Sequence, residues 1–189
     1  MLMTGGPALC KDAHDLDTQL TPLLRRFQFV GASNIDTFAD RFCAHIRATT
    51  VPRDPFEHLP RLSVTLERTV LSRPTRALWV REGDQYFVYY SLHENTSAAR
   101  FSLWHECFEI LANHPQFPTA LSAAWLERLA DKFACCVLMP AEPVRRAATR
   151  LRNNPDGLVP VLADRFTVSQ TAMRRRLREL SIAAVRPAR

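Results

Sequence analysis

Prolines limit the length of every helix in the middle of this 189-residue chain, because proline lacks the backbone N–H that continues a helix. They fall at Pro52, Pro55, Pro60, Pro115, Pro118 and Pro140. The first three mark an irregular connection, the next two separate two helical segments, and the last closes the second segment. No internal repeat appears, and 47% of the residues are apolar, which is enough for an ordinary core. We therefore predict one compact domain, with at most a small appendage.

A short helix and the first strand of a small sheet are predicted in the first third of the chain. From residue 35 to 46, apolar residues recur at three- and four-residue steps, which is one face of a helix. Ser33 or Asn34 can cap this helix, which should end near Ala48. Residues 61–67 then alternate apolar and polar side chains, as in a half-buried strand.

A β-hairpin and two longer helices are predicted next. Residues 77–81 and 85–90 are rich in Val, Trp, Tyr and Phe, and they flank a Glu-Gly-Asp turn. Helices are expected at about 98–113 and 120–138. A helical tail follows, with a turn at residues 155–157. The predicted fold class is α+β, with a small antiparallel sheet packed on the two helices and the tail closing the structure.

Charge and cysteine usage narrow the setting. The net charge of +6 favours an acidic partner but is common among soluble enzymes. The five cysteines are an odd number and form no CxxC pair, so they are predicted to be reduced and mostly packed. No apolar run approaches the roughly 18 residues of a membrane span, and there is no secretion signal. A cytoplasmic protein without a membrane partner is therefore expected.

The first of the two longer helices carries a candidate metal site. From residue 100 the sequence reads RFSLWHECFE, so His105, Glu106 and Glu109 follow the spacing of the HExxH motif with the second histidine replaced. Residues four apart share one helix face, and glutamate can bind zinc. On the next helix, Glu127 and Asp131 are also four residues apart, so one can bind the metal and the other can orient a ligand histidine.

Other histidines and the cysteines are weaker candidates for the site. His114 lies nine residues after His105, half a turn out of phase on the helix, and cannot share an ion with it. His93 could fold over the site from a loop, although such a histidine is usually just solvated. Cys107 points away from the ligand face, and an exposed acidic helix face is the ordinary explanation of acids at this spacing.

Two segments resemble the ImmA/IrrE family of metallopeptidases. RFSLWHE, from residue 100, is similar to the family's RFTLAHE, and ERLADKFACCVLMP, from residue 127, is similar to its ExEANxFAxxLLMP. The order and separation of the segments are also similar, and the resemblance covers about residues 35 to 182. It implies a metallopeptidase-like domain at 31–140 and a helical tail at 141–189. Gly5, Gly6, Pro7 and a polar mixture without periodicity predict a flexible arm at 1–30.

The resemblance also implies the role of each site residue. His105 and Glu127 correspond to metal ligands and Glu106 to the general base. Asp131 lies four residues beyond Glu127, where it can orient the ligand histidine without binding the metal. Glu109 is the departure from the family, and we predict that it replaces the histidine as the third ligand. The resemblance implies zinc as the bound ion. A site of one His and two Glu neutralises a divalent ion and is rich in oxygen ligands, so manganese or iron(II) are the alternatives.

The tail, around residues 162–180, is similar to a helix-turn-helix, with Ser169 capping the second helix. Its candidate contacts to nucleic acid or a protein partner are Arg174, Arg175, Arg176 and Arg178. In the family a comparable segment packs on the peptidase core, so we favour docking or packing over direct DNA contact. The resemblance implies an endopeptidase that cuts a DNA-binding repressor in stress or mobile-element regulation. The alternative is a catalytically degenerate regulator that acts through its tail on DNA or on a repressor.

Overall fold

The computed structural model describes residues 16–182, which form eight α-helices and a three-stranded sheet. The helices are α1 (Leu16–Leu24), α2 (Ile35–His45), α3 (Pro55–His58), α4 (Thr96–Ala112), α5 (Ala123–Leu138), α6 (Ala141–Arg150), α7 (Pro155–Phe166) and α8 (Gln170–Glu179). The strands are β1 (Val64–Thr69), β2 (Ala77–Glu82) and β3 (Gln85–Ser91), and a 3₁₀ turn at Pro60–Leu62 precedes β1. The α+β class is confirmed. Among residues 16–182, no helix is long and apolar enough to cross a membrane.

The sheet is mixed, so the prediction of an antiparallel sheet is wrong for one of its strands. β2 and β3 form the predicted antiparallel hairpin, but β1 pairs parallel to β3, giving the order β1-β3-β2. β1 and β2 run in opposite directions, joined by residues 70–76, and β3 turns back from β2 into the space between them, so it must run parallel to β1. Tyr86 and Val88 of this central strand are buried, and both β1 and β2 are edge strands.

The core lies between the sheet and helices α2, α4 and α5. Phe38 of α2 packs edge-on against Phe108 of α4, with ring centroids 6.2 Å apart, and Phe133 of α5 lies 5.2 Å from Phe108. Trp104 is fully buried on α4 and donates its indole N–H to the Arg53 carbonyl. This packing fixes α4 against α5, so that polar residues of the two helices can meet on their outer side.

Part of the predicted flexible arm is a packed helix. The leucines of α1 are buried, and the Tyr86 hydroxyl donates to Asp17 Oδ1 over 2.9 Å. The four buried leucines are Leu16, Leu20, Leu23 and Leu24. Their three- and four-residue steps are an amphipathic helical pattern, so the prediction of an arm over residues 1–30 is wrong for this segment. Residues 1–15 lie outside the described residues.

The predicted turn at residues 155–157 is instead the first turn of α7. Asn154 caps the helix by accepting a hydrogen bond from Gly157 N over 3.0 Å, and Pro155 occupies the first helical turn. Proline suits that position because the first N–H groups of a helix have no partner within it. Residues 155–157 therefore begin a helix instead of forming a turn between helices.

The last two helices have the predicted helix-turn-helix layout, and the motif helix is tied to them. Ser169 Oγ caps α8 by accepting from Ala172 N over 3.1 Å. Arg100, buried on α4, donates to the carbonyls of Phe166 and Thr167 at 3.2 and 2.7 Å. Its guanidinium thus closes the C-terminal end of α7, where helical carbonyls lack partners.

Candidate metal centre

Three titratable side chains of α4, those of His105, Glu106 and Glu109, lie on the side of the helix away from the core. Asn95 Oδ1 caps the helix by accepting from Ala98 N over 3.0 Å, and the helix then runs unbroken through the motif to Ala112. The neighbours Trp104 and Phe108 face the core. Since 3.6 residues make one turn, His105 and Glu109 lie one above the other on the opposite side, with Glu106 beside them.

His105, Glu109 and Glu127 each offer one ligand atom, and these three atoms lie within 4.8 Å of one another. His105 Nε2 is 3.6 Å from Glu109 Oε1 and 3.5 Å from Glu127 Oε2. Two ligand atoms bound tetrahedrally at about 2.1 Å from zinc are about 3.4 Å apart. The donor set therefore fits a divalent metal at the spacing that a tetrahedral site requires.

Asp131 holds the other nitrogen of the histidine ring. His105 Nδ1 lies 3.0 Å from Asp131 Oδ1, one helical turn beyond Glu127 on α5. In the neutral ring this contact favours the proton on Nδ1, which leaves the Nε2 lone pair to face the two glutamates. A carboxylate bound to the outer nitrogen is the usual support for a metal-ligating histidine.

Trp79 of β2 holds the second oxygen of Glu109. The indole Nε1 donates to Glu109 Oε2 over 3.2 Å, while Oε1 of the same carboxylate faces His105. The sequence analysis placed this tryptophan in the hairpin and missed its contact. Strand alternation shows that residues 77, 79 and 81 share a face, but only tertiary packing shows that this face meets α4.

Glu106 is buried beside the cluster, with only 8% of its surface exposed. Burial, reinforced by the negative charges of Glu109 and Glu127, raises its pKa to about 7, although His105 and a backbone hydrogen bond from Trp79 oppose the shift. A carboxyl group with a pKa near neutrality can both accept and donate a proton at physiological pH. This is the behaviour required of a general base.

The protonation of His105 depends on its acidic neighbours. Burial alone would lower its pKa, but the contacts with Glu109, Glu106 and Asp131 outweigh burial and raise the pKa to about 9. The cluster thus binds a positive charge in place of a metal, because the proton occupies the space between carboxylates. A metal ion competes with that proton for Nε2, so metal binding to this cluster must release it.

The cluster opens into a cleft between α4, α5 and strand β2. Four carboxylates and one histidine supply its polar wall, and the segment leading into β2 supplies the opposite wall. The lining residues are Pro74, Thr75, Arg76, Ala77, Leu78, Trp79, Phe101, Ser102, His105, Glu106, Glu109, Glu127 and Asp131. We call this site the acidic cleft. It is bounded on one side by the outer edge of β2, which within residues 16–182 pairs with β3 alone.

The other histidines and the cysteines considered above lie apart from the cluster. His114 is buried and donates from Nε2 to the Asp17 carbonyl over 3.0 Å, so it anchors α1 rather than a metal. His93 does not line the cleft. Cys107 is buried on the core side of α4, where burial raises its pKa, so it remains a packed thiol.

The tail arginines divide into one buried and three exposed side chains. Those predicted as contacts were Arg174, Arg175, Arg176 and Arg178, and all except Arg176 are exposed. Arg176 is 1% exposed, donates to the Met139 carbonyl over 2.8 Å, and forms an ion pair with Asp36. Its predicted role in contacting DNA or a partner is therefore wrong. On α8 it faces the peptidase-like core, and it has no surface to offer.

Comparison with known proteins gives one family and a fold relative. The sequence model of a peptidase family, described as the IrrE N-terminal-like domain, matches residues 57–178. A solved structure titled "Mycobacterium tuberculosis transcriptional regulator" superimposes with a TM-score of 0.56 at 18% identity. The alignment covers 87% of this chain but 51% of that structure, so this chain spans about half of the regulator's length. At this identity the likeness concerns the fold alone. No curated protein sequence matches.

Proposed function

Because this chain belongs to the family of the IrrE N-terminal-like domain, we propose that it is a metal-dependent endopeptidase. The observation that carries the proposal is the convergence of His105, Glu109 and Glu127 within 4.8 Å, with the buried Glu106 lining the same cleft. In this proposal the three converging residues hold the metal, and Asp131 supports His105.

The donor set suggests which metal is bound. Two carboxylates and one neutral imidazole cancel the charge of a divalent ion, whereas two histidines and one glutamate leave a net positive charge. The site is therefore a weaker Lewis acid than a His₂Glu centre and is more accepting of ions that favour oxygen ligands. We propose zinc as the resident ion, with manganese or iron(II) as competitors.

The acid–base step falls to Glu106. A divalent metal held in the cleft supplies Lewis acidity to the attacking water and to the scissile carbonyl. Glu106 accepts the proton of the attacking water and passes it to the departing amine, for which its pKa near 7 is suited.

The free edge of β2 offers a binding surface for an extended peptide. The Arg76 carbonyl accepts from Ser91 N over 2.8 Å, so the alternation of an antiparallel ladder points the backbone groups of Ala77 away from β3, on the side of the cleft. Such an edge can pair with a substrate chain through main-chain hydrogen bonds. We propose a DNA-binding repressor as that substrate, cut in the cytoplasm during a stress response or mobile-element induction.

The exposed arginines of α8 favour a second candidate function. Arg174, Arg175 and Arg178 remain available on a helix-turn-helix-like tail, and the fold relative is titled a transcriptional regulator. In this alternative the chain keeps the peptidase shape without cleavage and acts by binding DNA or a repressor through the tail. We also propose that residues 31–140 form the peptidase-like unit and that residues 141–189 form a tail packed on it.

Metal content and cleavage together test the endopeptidase proposal. Protein purified without chelators should hold close to one divalent ion per chain, and His105→Ala or Glu127→Ala should remove it, because each deletes one of three ligands. Glu106→Gln should keep the metal but reduce cleavage of a co-expressed repressor at least a hundredfold, because an amide cannot accept the proton.

Glu109→His is the matched variant, since it restores two histidines four residues apart. It should retain metal and shift preference toward zinc. Metal-free wild-type protein would contradict the proposal. Cleavage that appears only in Glu109→His would instead identify the natural chain as a disabled peptidase and favour the regulator.

A further inference from the structure

The indole of Trp79 reaches Glu109 from strand β2. Its Nε1 donates to Glu109 Oε2 over 3.2 Å. The position of Trp79 is set within the hairpin, because Trp79 pairs with Val88 in the strand register and its ring lies 6.1 Å from that of Tyr86. The contact therefore comes from an element outside the two site helices.

The indole bond separates the two oxygens of Glu109. Oε2 is occupied by the Trp79 N–H, and Oε1 is 3.6 Å from His105 Nε2. A glutamate has three rotatable side-chain bonds and can turn either oxygen, or both, toward a cation. With Oε2 held, Oε1 alone faces the position shared with His105 and Glu127.

The other acidic member of the cluster provides a contrast. Glu127 is 68% exposed, and its Oε2 contacts only the same His105 nitrogen. The ordering of the cluster therefore depends on the residues of α4, and for Glu109 that ordering comes from across the cleft. Aligning a ligand in advance removes part of the entropy cost of binding a metal, as hydrogen bonds to metal-ligating residues generally do.

We propose that Trp79 is a positioning residue, whose indole N–H holds Glu109 as a single-oxygen ligand and so completes the metal site from strand β2. This inference rests on the proposed metal site. It assigns to the hairpin a role that neither the motif helix nor the second site helix can fulfil. A histidine side chain has fewer rotatable bonds than a glutamate, so Glu109 needs a further contact to fix the direction of its ligand oxygen. The indole N–H of Trp79 provides that contact.

A double-mutant cycle on cobalt(II) affinity tests this assignment. Trp79→Phe keeps the aromatic ring but loses the N–H, and it should weaken cobalt binding about tenfold. In a Glu109→Ala background the same substitution should change affinity less than twofold, because the oxygen that the indole orients is absent. The matched control is Trp125→Phe, which removes an indole N–H on the exposed start of α5.

The outcomes separate the two proposals. If wild-type protein binds no cobalt, both the metal site and this inference fail. If wild type binds and Trp79→Phe binds equally well, only the positioning role fails. An equal loss in both backgrounds would also overturn it, since that result describes general damage to the fold. The visible spectrum of bound cobalt should change in Trp79→Phe and stay constant in Trp125→Phe.

A measurement that leaves Trp79 in place covers the case in which Trp79→Phe does not fold. The chain contains three tryptophans and therefore has three indole N–H signals in a proton–nitrogen correlation spectrum. Glu109→Ala should move one of them upfield and speed its exchange with water, because a bond to a carboxylate is lost. If no indole signal moves, the contact does not exist in solution and the inference is overturned.

Discussion

The acidic cleft and the surroundings of Arg176 hold their charges in opposite ways. In the cleft, four carboxylates face His105 and Arg76, so negative charge is in excess. The buried Arg176 and the neighbouring Lys132 face Asp36 and Glu179, and the Met139 carbonyl accepts a further hydrogen bond from Arg176. We call the residues Arg176, Lys132, Asp36 and Glu179 the balanced cluster, with the exposed Arg175 pairing with Glu179 from outside it. Its charges are satisfied within the fold, whereas the acids of the cleft outnumber its cations. Excess negative charge thus distinguishes the candidate site from a structural joint between α2, α5 and α8.

The largest effect should come from unbalancing the balanced cluster. Arg176→Ala leaves Asp36 without its main partner and removes the hydrogen bond to Met139. Deleting one partner of a buried ion pair typically costs about 3–5 kcal/mol. The free energy of unfolding, from urea titration monitored by circular dichroism, should fall by that amount.

Arg175→Ala is the matched control for this change. Its side chain lies one position earlier on α8 and pairs with Glu179 at the surface, 3.3 Å away. Exposed pairs contribute roughly 0–1 kcal/mol, so the control should be nearly silent. Equal losses in the two variants would contradict the distinction between a buried joint and a surface pair.

The next largest effect should be a pH dependence that comes mainly from the cleft, with the buried His58 acting in the opposite direction because burial lowers its pKa. The folded-state pKa of Glu106 is raised from 4.5 to about 7, so its ionisation costs stability as pH rises across that range. The pKa of His105 is raised from 6.5 to about 9, so the stability from its protonated form is lost between those values. Metal-free protein should therefore become less stable from about pH 5 to pH 9.

Thermal unfolding with a chelator, repeated at each pH, measures this trend. Glu106→Gln should remove the decline below pH 7 and keep the decline above it, because Glu109 and Asp131 still face His105. Added zinc should reverse the slope, since metal binding displaces protons and strengthens as pH rises. A metal-free melting temperature that is flat across this range would show that the excess negative charge is screened in solution.

The smallest effect on the fold should come from the exposed arginines. Replacing Arg174, Arg175 and Arg178 together by alanine should change stability little, because all three are exposed. If the tail contacts DNA, wild type should bind duplexes weakly and without sequence preference. The slope of log affinity against log salt should then become shallower by about three in the variant. No binding by wild type at low salt would assign the surface to packing or protein docking.

The sequence predicted the helices and the chemical residues of the cleft better than their partners. Spacing placed His105 and Glu109 on one face of α4, because helical geometry depends only on position along the chain. It could not show that Trp79 meets Glu109, since the packing of a strand face on a helix is a property of the assembled core. The same holds for β1, whose parallel pairing arises because β3 turns back from β2 into the space beside β1.

The prediction for the arginines of α8 failed for a related reason. Four arginines in five residues suggested one basic surface, yet the helix turns Arg176 inward beside Leu177, where both side chains are fully covered. The leucine periodicity of α1 was readable in advance, but Gly5, Gly6 and Pro7, which precede it, suggested a flexible arm. Periodicity was the stronger signal there because an amphipathic helix needs only a few buried residues to pack.

The guanidinium of Arg100 makes the region after Pro140 a poor place to shorten the chain. A protein ending there would keep a buried cation whose acceptors on Phe166 and Thr167 had been deleted. Transferring α4 to another protein would meet the same difficulty, because Arg100, five residues before His105, would lack the carbonyls at the end of α7 that it binds here. Helix α4 and the tail therefore form one structural unit, and a shift of α7 would move the helix that carries His105.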